Sequence, residues 1–320
     1  MVALGLGACS ATDAGDTAAS GNVTATLGDP NPQPIALEPR PTLPVAVRSF
    51  DGAEVMVQDV SRIIAVDRFG TLAQTVYALG LGDHLVGRSA SAKIPAIVGL
   101  PDVTPNGEAM SVEAVLALRP TVLLTDTTTG TPAVFAQLRA AGVPIVHFDP
   151  TRTIDSTSPQ IQAIADALGV HDQGAALARR TAAEISTATA TLPAVDRKPR
   201  IAFLYLRGTA LTMLAGPGSG ADALITGLGA EDAGTAVGLR EPFVAITSEA
   251  MIAASPDILL VMTDGLESIG GTAGLLALPG IAQTPAGRTR RIIDMSDSVL
   301  LSFGPNTGRV LTALRSAISR

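Results

Sequence analysis

Two stretches of this chain repeat one design, and that repeat constrains the fold more than any other feature. SVEAVLALRPTVLLTD occupies 111–126 and SEAMIAASPDILLVMTD occupies 248–264. In both, Glu-Ala opens a helix-like segment, a proline stands seven residues after the glutamate (Pro120, Pro256), and an apolar run ends in Thr-Asp. A helix that stops before a proline and leads into a buried strand is half of a βαβ unit. Such units build parallel sheets with helices on their faces. Two copies predict two similar α/β lobes.

The surrounding pattern agrees. Ser61–Val66 and Leu85–Gly87 read as short strands flanking a helix over Thr71–Leu81, which has Leu72, Val76 and Leu79 on one face. A strand at Thr121–Thr125, a helix over Pro132–Ala141 and a strand at Val143–Phe148 follow. Pro159 to Thr191 carries no strand signal and is rich in good helix formers, which predicts one long helix dented by Gly169 and Gly174. The strand–helix alternation resumes at Ile201. The expected organisation is a leader remnant over 1–8, a flexible tether over 9–44, an N-terminal lobe over 45–157, a connecting helix over 158–195 and a C-terminal lobe over 196–320. The expected fold class is α/β: two lobes with central, mostly parallel sheets, one long helix between them and a ligand cleft where the carboxyl ends of the strands meet.

The single cysteine, Cys9, closes Leu6-Gly7-Ala8-Cys9, which resembles the lipobox at which bacterial lipoproteins are cut and acylated. From Ser10 to Pro44 the chain is Ala, Thr, Gly, Asp and Pro with few large apolar residues, a composition that predicts a tether. Charged residues make up 16% of the chain and the net charge is −7, which argues against nucleic acid as a partner. No G-x-S-x-G, H-E-x-x-H or P-loop pattern is present, and GPGSG at 216–220 lacks the Lys-Ser/Thr that a phosphate loop needs, so no enzyme is expected.

One segment pairs a tyrosine with an arginine at the end of an apolar run, as the end of a core strand or as a ligand-facing pair. IAFLYLRG at 201–208 places one of only two tyrosines at the end of an apolar run, with an arginine two residues on. In extended chain Tyr205 and Arg207 point to the same side. A phenol, with its ordinary pKa near about 10, needs a cation beside it to serve as an anion at neutral pH. A guanidinium supplies that. Tyr77 lies inside an apolar helix and reads as core.

The order of SRIIAVDRFGTLAQTVYALGLGD (61–83), FLYLRGT (203–209), VMTDGLESIGG (261–271), LPGIAQTPAG (278–287) and LLSFGP (300–305) resembles the substrate-binding lipoproteins of ABC importers. Within their rigid-helix class, which serves siderophores, cobalamin and haem, the chain is similar to the haemin-binding lipoproteins of actinobacteria over roughly residues 55–320. That resemblance implies haem b (haemin) as the transported ligand, Tyr205 as an axial ligand of its iron, and Arg207 as a hydrogen-bond donor to the phenolate. It implies Glu113 and Glu249 as docking carboxylates for a permease with its ATPase, a lipid anchor at Cys9 on the outer face of the cell membrane, and upstream surface proteins that hand over haem. The family places a histidine opposite the tyrosine in an N-G-H pattern; here Asn106-Gly107 leads to Glu108. Glu108, Met110 and a water molecule stay open for that position. Arg68, Arg88, Ser89, Ser91 and Lys93, with Arg240, are expected near the propionates, and Phe69, Met213, Phe243 and Phe303 on the pocket wall. A ferric siderophore or cobalamin is the alternative ligand.

Overall fold

In a computed structural model of the chain, residues 21–105, 107, 109–190 and 197–320 are described; Cys9 and Glu108 lie outside them. The first lobe is built on four parallel strands in the order Leu85–Arg88, Ile63–Val66, Val122–Thr125, Ile145–His147. The two central strands are buried along their whole length, which is why they read as unbroken β-branched and leucine runs. The second lobe's sheet is mixed. Asn22–Ala25, Ile292–Met295, Ile258–Met262 and Arg200–Arg207 run parallel, then Leu211–Ala215 and Phe243–Ala245 add antiparallel, and Glu231–Asp232 pairs with the start of Arg200–Arg207. All five residues of Ile258–Met262 are buried. Each of its Ile and Leu side chains contributes about 1.5–3 kcal/mol through burial.

The sequence repeat is a structural repeat. Helices Val112–Ala117 and Ser248–Ala254 are capped by Ser111 and Thr247, whose hydroxyls accept from the N–H of Ala114 and Ala250 at 3.1 Å in both cases. Glu113 and Glu249 therefore occupy the same second helical position. Arg119 and Ser255, each the residue before the shared proline, have φ of 44° and 43°. Both helices thus end in a left-handed turn that the proline then seals.

Two expectations are corrected. The predicted single long helix is a hairpin of two helices, Ile154–Ala167 and His171–Ala190. Gly169, at φ 70°, reverses the chain, and the Val170 N–H donates to the Ala165 carbonyl at 2.9 Å, closing a Schellman-type end. Gly174 lets the returning helix lie against the first, since a Cβ there would sit 2.3 Å from that of Ala165. The segment that leads from the first lobe to the second is His171–Ala190, of 20 residues and so about 30 Å long.

The expectation of a tether over 9–44 is also corrected for residues 21–44; its remainder, 9–20, lies outside the described residues. Asn22–Ala25 is an edge strand of the second lobe's sheet, beside Ile292–Met295. Asn306 Nδ2 then donates to the Pro30 carbonyl at 2.8 Å, the Ile35 N–H to the Ala78 carbonyl at 2.7 Å, and the Thr42 N–H to the Gly169 carbonyl at 2.8 Å. Residues 21–44 thus run across both lobes as a strap. Backbone hydrogen bonds hold it, which a reading based on apolar periodicity misses.

Candidate ligand-binding cleft

The strand Arg200–Arg207 sorts its side chains by pleat. Ala202, Leu204 and Leu206 join the apolar cluster that holds Leu259 and Val261. Ile201 and Phe203 join the cluster on the opposite face, and Tyr205 packs at its margin. Along that second face burial gives way to exposure: Phe203 is fully buried, Tyr205 partly buried and Arg207 exposed. The period of two thus carries the phenol from the core to the rim of the lobe. A hairpin through Gly208 places Met213 opposite Tyr205, and the Phe243 ring meets that of Tyr205 edge-on with centroids 5.9 Å apart. The structure therefore brings Tyr205 and Phe243 together.

Arg207 lies over the Tyr205 ring, its guanidinium carbon 4.7 Å from the centroid. Its Nη2 donates to Asp297 Oδ2 at 2.9 Å and its Nη1 to the Leu206 carbonyl at 2.9 Å. The expected hydrogen bond from Arg207 to the phenol oxygen is absent, and among the described residues the Tyr205 hydroxyl has no hydrogen-bond partner. The cation instead faces the ring's π surface while Asp297 holds it. Burial pushes the Asp297 carboxyl up; Arg207 opposes that and the nearby Asp264 adds to it.

The carboxyl ends of both sheets meet at one boundary. The Thr71 hydroxyl donates to the Ser302 carbonyl, Gln74 Nε2 donates to the Ser298 carbonyl at 2.7 Å, and Lys93 Nζ lies 2.9 Å from Asp264 Oδ2. Thr71, Gln74 and Lys93 follow first-lobe strands; Ser298, Ser302 and Asp264 follow second-lobe strands.

On the first-lobe side stands a cluster that sequence reasoning missed. Arg152 Nη2 lies 2.7 Å from Asp126 Oδ2 and 3.4 Å from Asp67 Oδ2, all three side chains being buried. Asp67 also accepts from the N–H of Phe69, Thr71 and Leu72, at 3.2, 3.1 and 3.0 Å. Asp126 accepts from the N–H of Thr128 at 2.8 Å and from its hydroxyl. Burial, and then the charge of Asp67, pushes the Asp126 carboxyl up against the pull of Thr128 and Arg152. The Arg152 guanidinium carbon lies 5.9 Å from the centre of the Phe69 ring. A Cβ on Gly220 of the second lobe would lie 3.5 Å from Arg152 Cβ and 3.2 Å from Phe303. The cluster thus sets the loop that carries Arg68 and Phe69, at the point where the lobes meet and Phe303 is buried.

Several expected ligand-facing groups are engaged elsewhere. The Arg88 guanidinium donates to the carbonyls of Val98 at 2.9 and 3.2 Å and of Ser89 at 2.9 Å. The Ser91 hydroxyl donates to the Asp67 carbonyl at 3.0 Å and lies 3.0 Å from that of Ser89, which is buried. These hydrogen bonds tie the three residues into the loop. Met110 is buried in the first lobe's apolar cluster with Val66, Val103 and Val115, so its thioether is core packing and not a candidate ligand. Arg68 and Lys93 are exposed, as is Arg240. All three histidines are held apart. His84 Nδ1 lies 2.8 Å from the Val60 carbonyl, and His171 Nδ1 2.6 Å from Asp166. His147 is buried beside Phe135 and Asp51, and burial pulls its pKa down. A separate crevice of about 730 Å³, lined by Thr24, Arg180, Glu184, Arg309 and Thr312 among others, contains none of the cleft residues.

A family profile described as periplasmic binding protein matches residues 68–299. A crystal structure described as heme binding protein HmuT superposes with a TM-score of 0.89 at 35% identity, covering 93% of this chain and 97% of that one. Structures of that protein also exist with a histidine, a tyrosine, and an arginine two residues beyond the tyrosine, each replaced by alanine. The periplasmic heme-binding protein RhuT of Roseiflexus sp. RS-1 superposes with a TM-score of 0.77 at 38% identity, covering 82% of this chain and 98% of that one. Among curated proteins, the vitamin B12-binding protein of Yersinia pestis (strain Pestoides F) is 30% identical over 132 residues, 41% of this chain and 46% of that protein. The chain thus spans about half the length of the curated relatives it matches.

Proposed function

The chain belongs to the periplasmic binding protein family, and on that premise we propose that it captures haem between its two lobes and delivers it to an ABC permease. The family consists of extracytoplasmic substrate-binding transport proteins, not enzymes. One observation carries the haem reading. Tyr205, on the cleft rim, has a hydroxyl with no partner among the described residues, an aromatic wall in Phe243 and a cation over its ring in Arg207. A phenolate on iron needs that free oxygen, and a porphyrin needs the apolar edge beside it. The Tyr-x-Arg spacing shared with the altered positions of HmuT supports the same reading. The test is direct. Haemin added to the ligand-free protein gives a Soret band with ferric phenolate features, and neither cobalamin nor a ferric siderophore displaces it. Cobalamin deserves that place in the test because the curated relatives are vitamin B12-binding proteins. Tight cobalamin binding without a haemin band would overturn the haem reading in its favour.

The second axial position is Glu108 or water, with Tyr205 the dominant ligand. Arg68 and Lys93 are the propionate-facing cations. Glu113 and Glu249 are exposed and sit at equivalent helical positions of the two lobes, which suits a two-fold permease face carrying arginines. Their double alanine variant is expected to lose haem-dependent growth while the purified protein binds haemin as before; weakened haemin binding would assign the pair to the cleft or the fold instead. Among the described residues no helix is long and apolar enough to cross a membrane. Attachment to the outer face of the cell membrane is assigned to a lipid on Cys9. Cys9→Ser is expected to move the protein from the membrane fraction to the soluble one, and retention on membranes would refute the anchor.

A further inference from the structure

The Lys93–Asp264 pair joins the two lobes at 2.9 Å, with the two side chains 52% and 54% exposed. Exposed pairs of this kind add little to stability. The lobes are already joined by the buried contacts of Thr71 and Gln74. What distinguishes the pair is where it stands. Asp264 is the second residue of helix Thr263–Ser268, and its own N–H donates to Asp297 Oδ1 at 3.0 Å. The other oxygen of Asp297 holds Arg207 over the Tyr205 ring. The next residue, Gly265, lies against the same strand end: a Cβ there would be 3.0 Å from the Leu206 carbonyl and 3.4 Å from Arg207 Nη1. The ammonium of Lys93 is therefore held by a carboxylate whose neighbouring residue, Gly265, packs against the end of the strand that carries Tyr205.

The nearby cations differ in how freely they can change partners. Arg207 is fixed by Asp297 and a carbonyl, Arg88 by carbonyls, and Arg152 by two buried aspartates. Lys93 has one solvent-exposed partner, and an ammonium binds carboxylates as a point charge without a fixed fork geometry. A second carboxylate arriving in the cleft meets in Lys93 an attractive charge and in Asp264 a repulsive one.

We propose that Asp264 is an internal competitor for the ligand's carboxylates: it occupies Lys93 in the ligand-free protein, and a haem propionate takes Lys93 over on binding. The inference rests on the haem reading above. Asp264 thereby lowers the affinity for haem and acts as a specificity residue, because only a ligand that brings its own carboxylate can use Lys93.

The experiment titrates haemin and haemin dimethyl ester, which lacks free carboxylates, into the unaltered protein, Asp264→Asn, Lys93→Met and the double variant, reading the Soret band. Asp264→Asn keeps the backbone N–H that Asp297 accepts. It is expected to bind haemin about two- to fivefold more tightly, the range that one exposed ion pair supplies. Lys93→Met is expected to bind it more weakly by a similar factor, and the double variant to match Lys93→Met. The ester's affinity is expected to be the same in all four proteins. Unchanged haemin affinity in Asp264→Asn, or equal shifts for haemin and ester, would overturn the competitor role while leaving the haem reading intact. No Soret band with the unaltered protein would overturn the haem reading and this inference with it.

Discussion

Tyr205→Phe is expected to leave the fold intact and to reduce haemin affinity by at least about 100-fold. The substitution removes one oxygen that has no hydrogen-bond partner among the described residues, so no buried group is orphaned. The ring keeps its edge contact with Phe243 and its place opposite Met213. Loss of an outer-shell partner alone typically costs about 10–100-fold in metal affinity, and loss of the anionic ligand itself exceeds that. Arg207→Ala is expected in the lower range, about 10–100-fold. Arg207 faces the ring and Asp297, so a hydrogen bond from its guanidinium to the phenol oxygen requires it to turn away from the π surface. Glu108→Ala then separates the two options for the opposite face. A changed ferric spectrum assigns Glu108 to the iron or to a bound water, and an unchanged one leaves Tyr205 as the sole protein ligand. Soret titration of purified, folded Tyr205→Phe is the decisive measurement: affinity and spectrum equal to those of the unaltered protein would reduce IAFLYLRG to the end of a core strand.

What was legible in the chain was local and periodic. The period of two put Tyr205 and Arg207 on one face, and the Glu-Ala and proline offsets marked two equivalent units whose caps and left-handed ends prove equivalent in three dimensions. What was hidden depends on partners distant in sequence. Asp297 stands 90 residues from Arg207, and Arg152 stands 26 and 85 residues from Asp126 and Asp67. The aspartates themselves left a signal: Val66-Asp67 and Thr125-Asp126 place a carboxylate at the end of a wholly buried strand. A carboxylate so placed requires a cation or several N–H donors. The helical hairpin was hidden because an isolated glycine inside a helix-forming stretch is tolerated, so nothing local distinguished Gly169 as a reversal from Gly169 as a dent. Asn22–Ala25 was hidden because an edge strand of four residues, NVTA, has its hydrogen-bonding partner in Ile292–Met295 and little pattern of its own.

Arg152→Met is expected to destabilise the protein by about 3–5 kcal/mol at neutral pH, the usual cost of removing one partner from a buried ion pair. The methionine fills much of the volume, so the loss is electrostatic: Asp67 and Asp126 are left facing one another, buried, with no cation. The N–H groups of Phe69, Thr71 and Leu72 continue to donate to Asp67. Asp126, already pushed up by burial and by Asp67, takes most of the strain. The sign of the pH dependence follows. For a carboxylate whose folded pKa is raised, the native state binds more protons than the unfolded chain between the unfolded and folded pKa values, so stability falls as pH rises through that window. Without Arg152 the window extends further upward, and the difference between variant and unaltered protein is expected to shrink as the pH is lowered into the range where Asp126 protonates. Adding Asp126→Asn to Arg152→Met is expected to restore part of the loss at neutral pH, because the amide keeps an oxygen for the Thr128 N–H and carries no charge. Denaturant midpoints for the four proteins of that cycle at two pH values measure both effects. A destabilisation below about 1 kcal/mol, or one that neither acid nor Asp126→Asn relieves, would show that the cluster is held by packing and not by charge. Since the same cluster holds the loop of Arg68 and Phe69 against the second lobe near Phe303, the folded fraction of Arg152→Met is also expected to bind haemin more weakly than the unaltered protein.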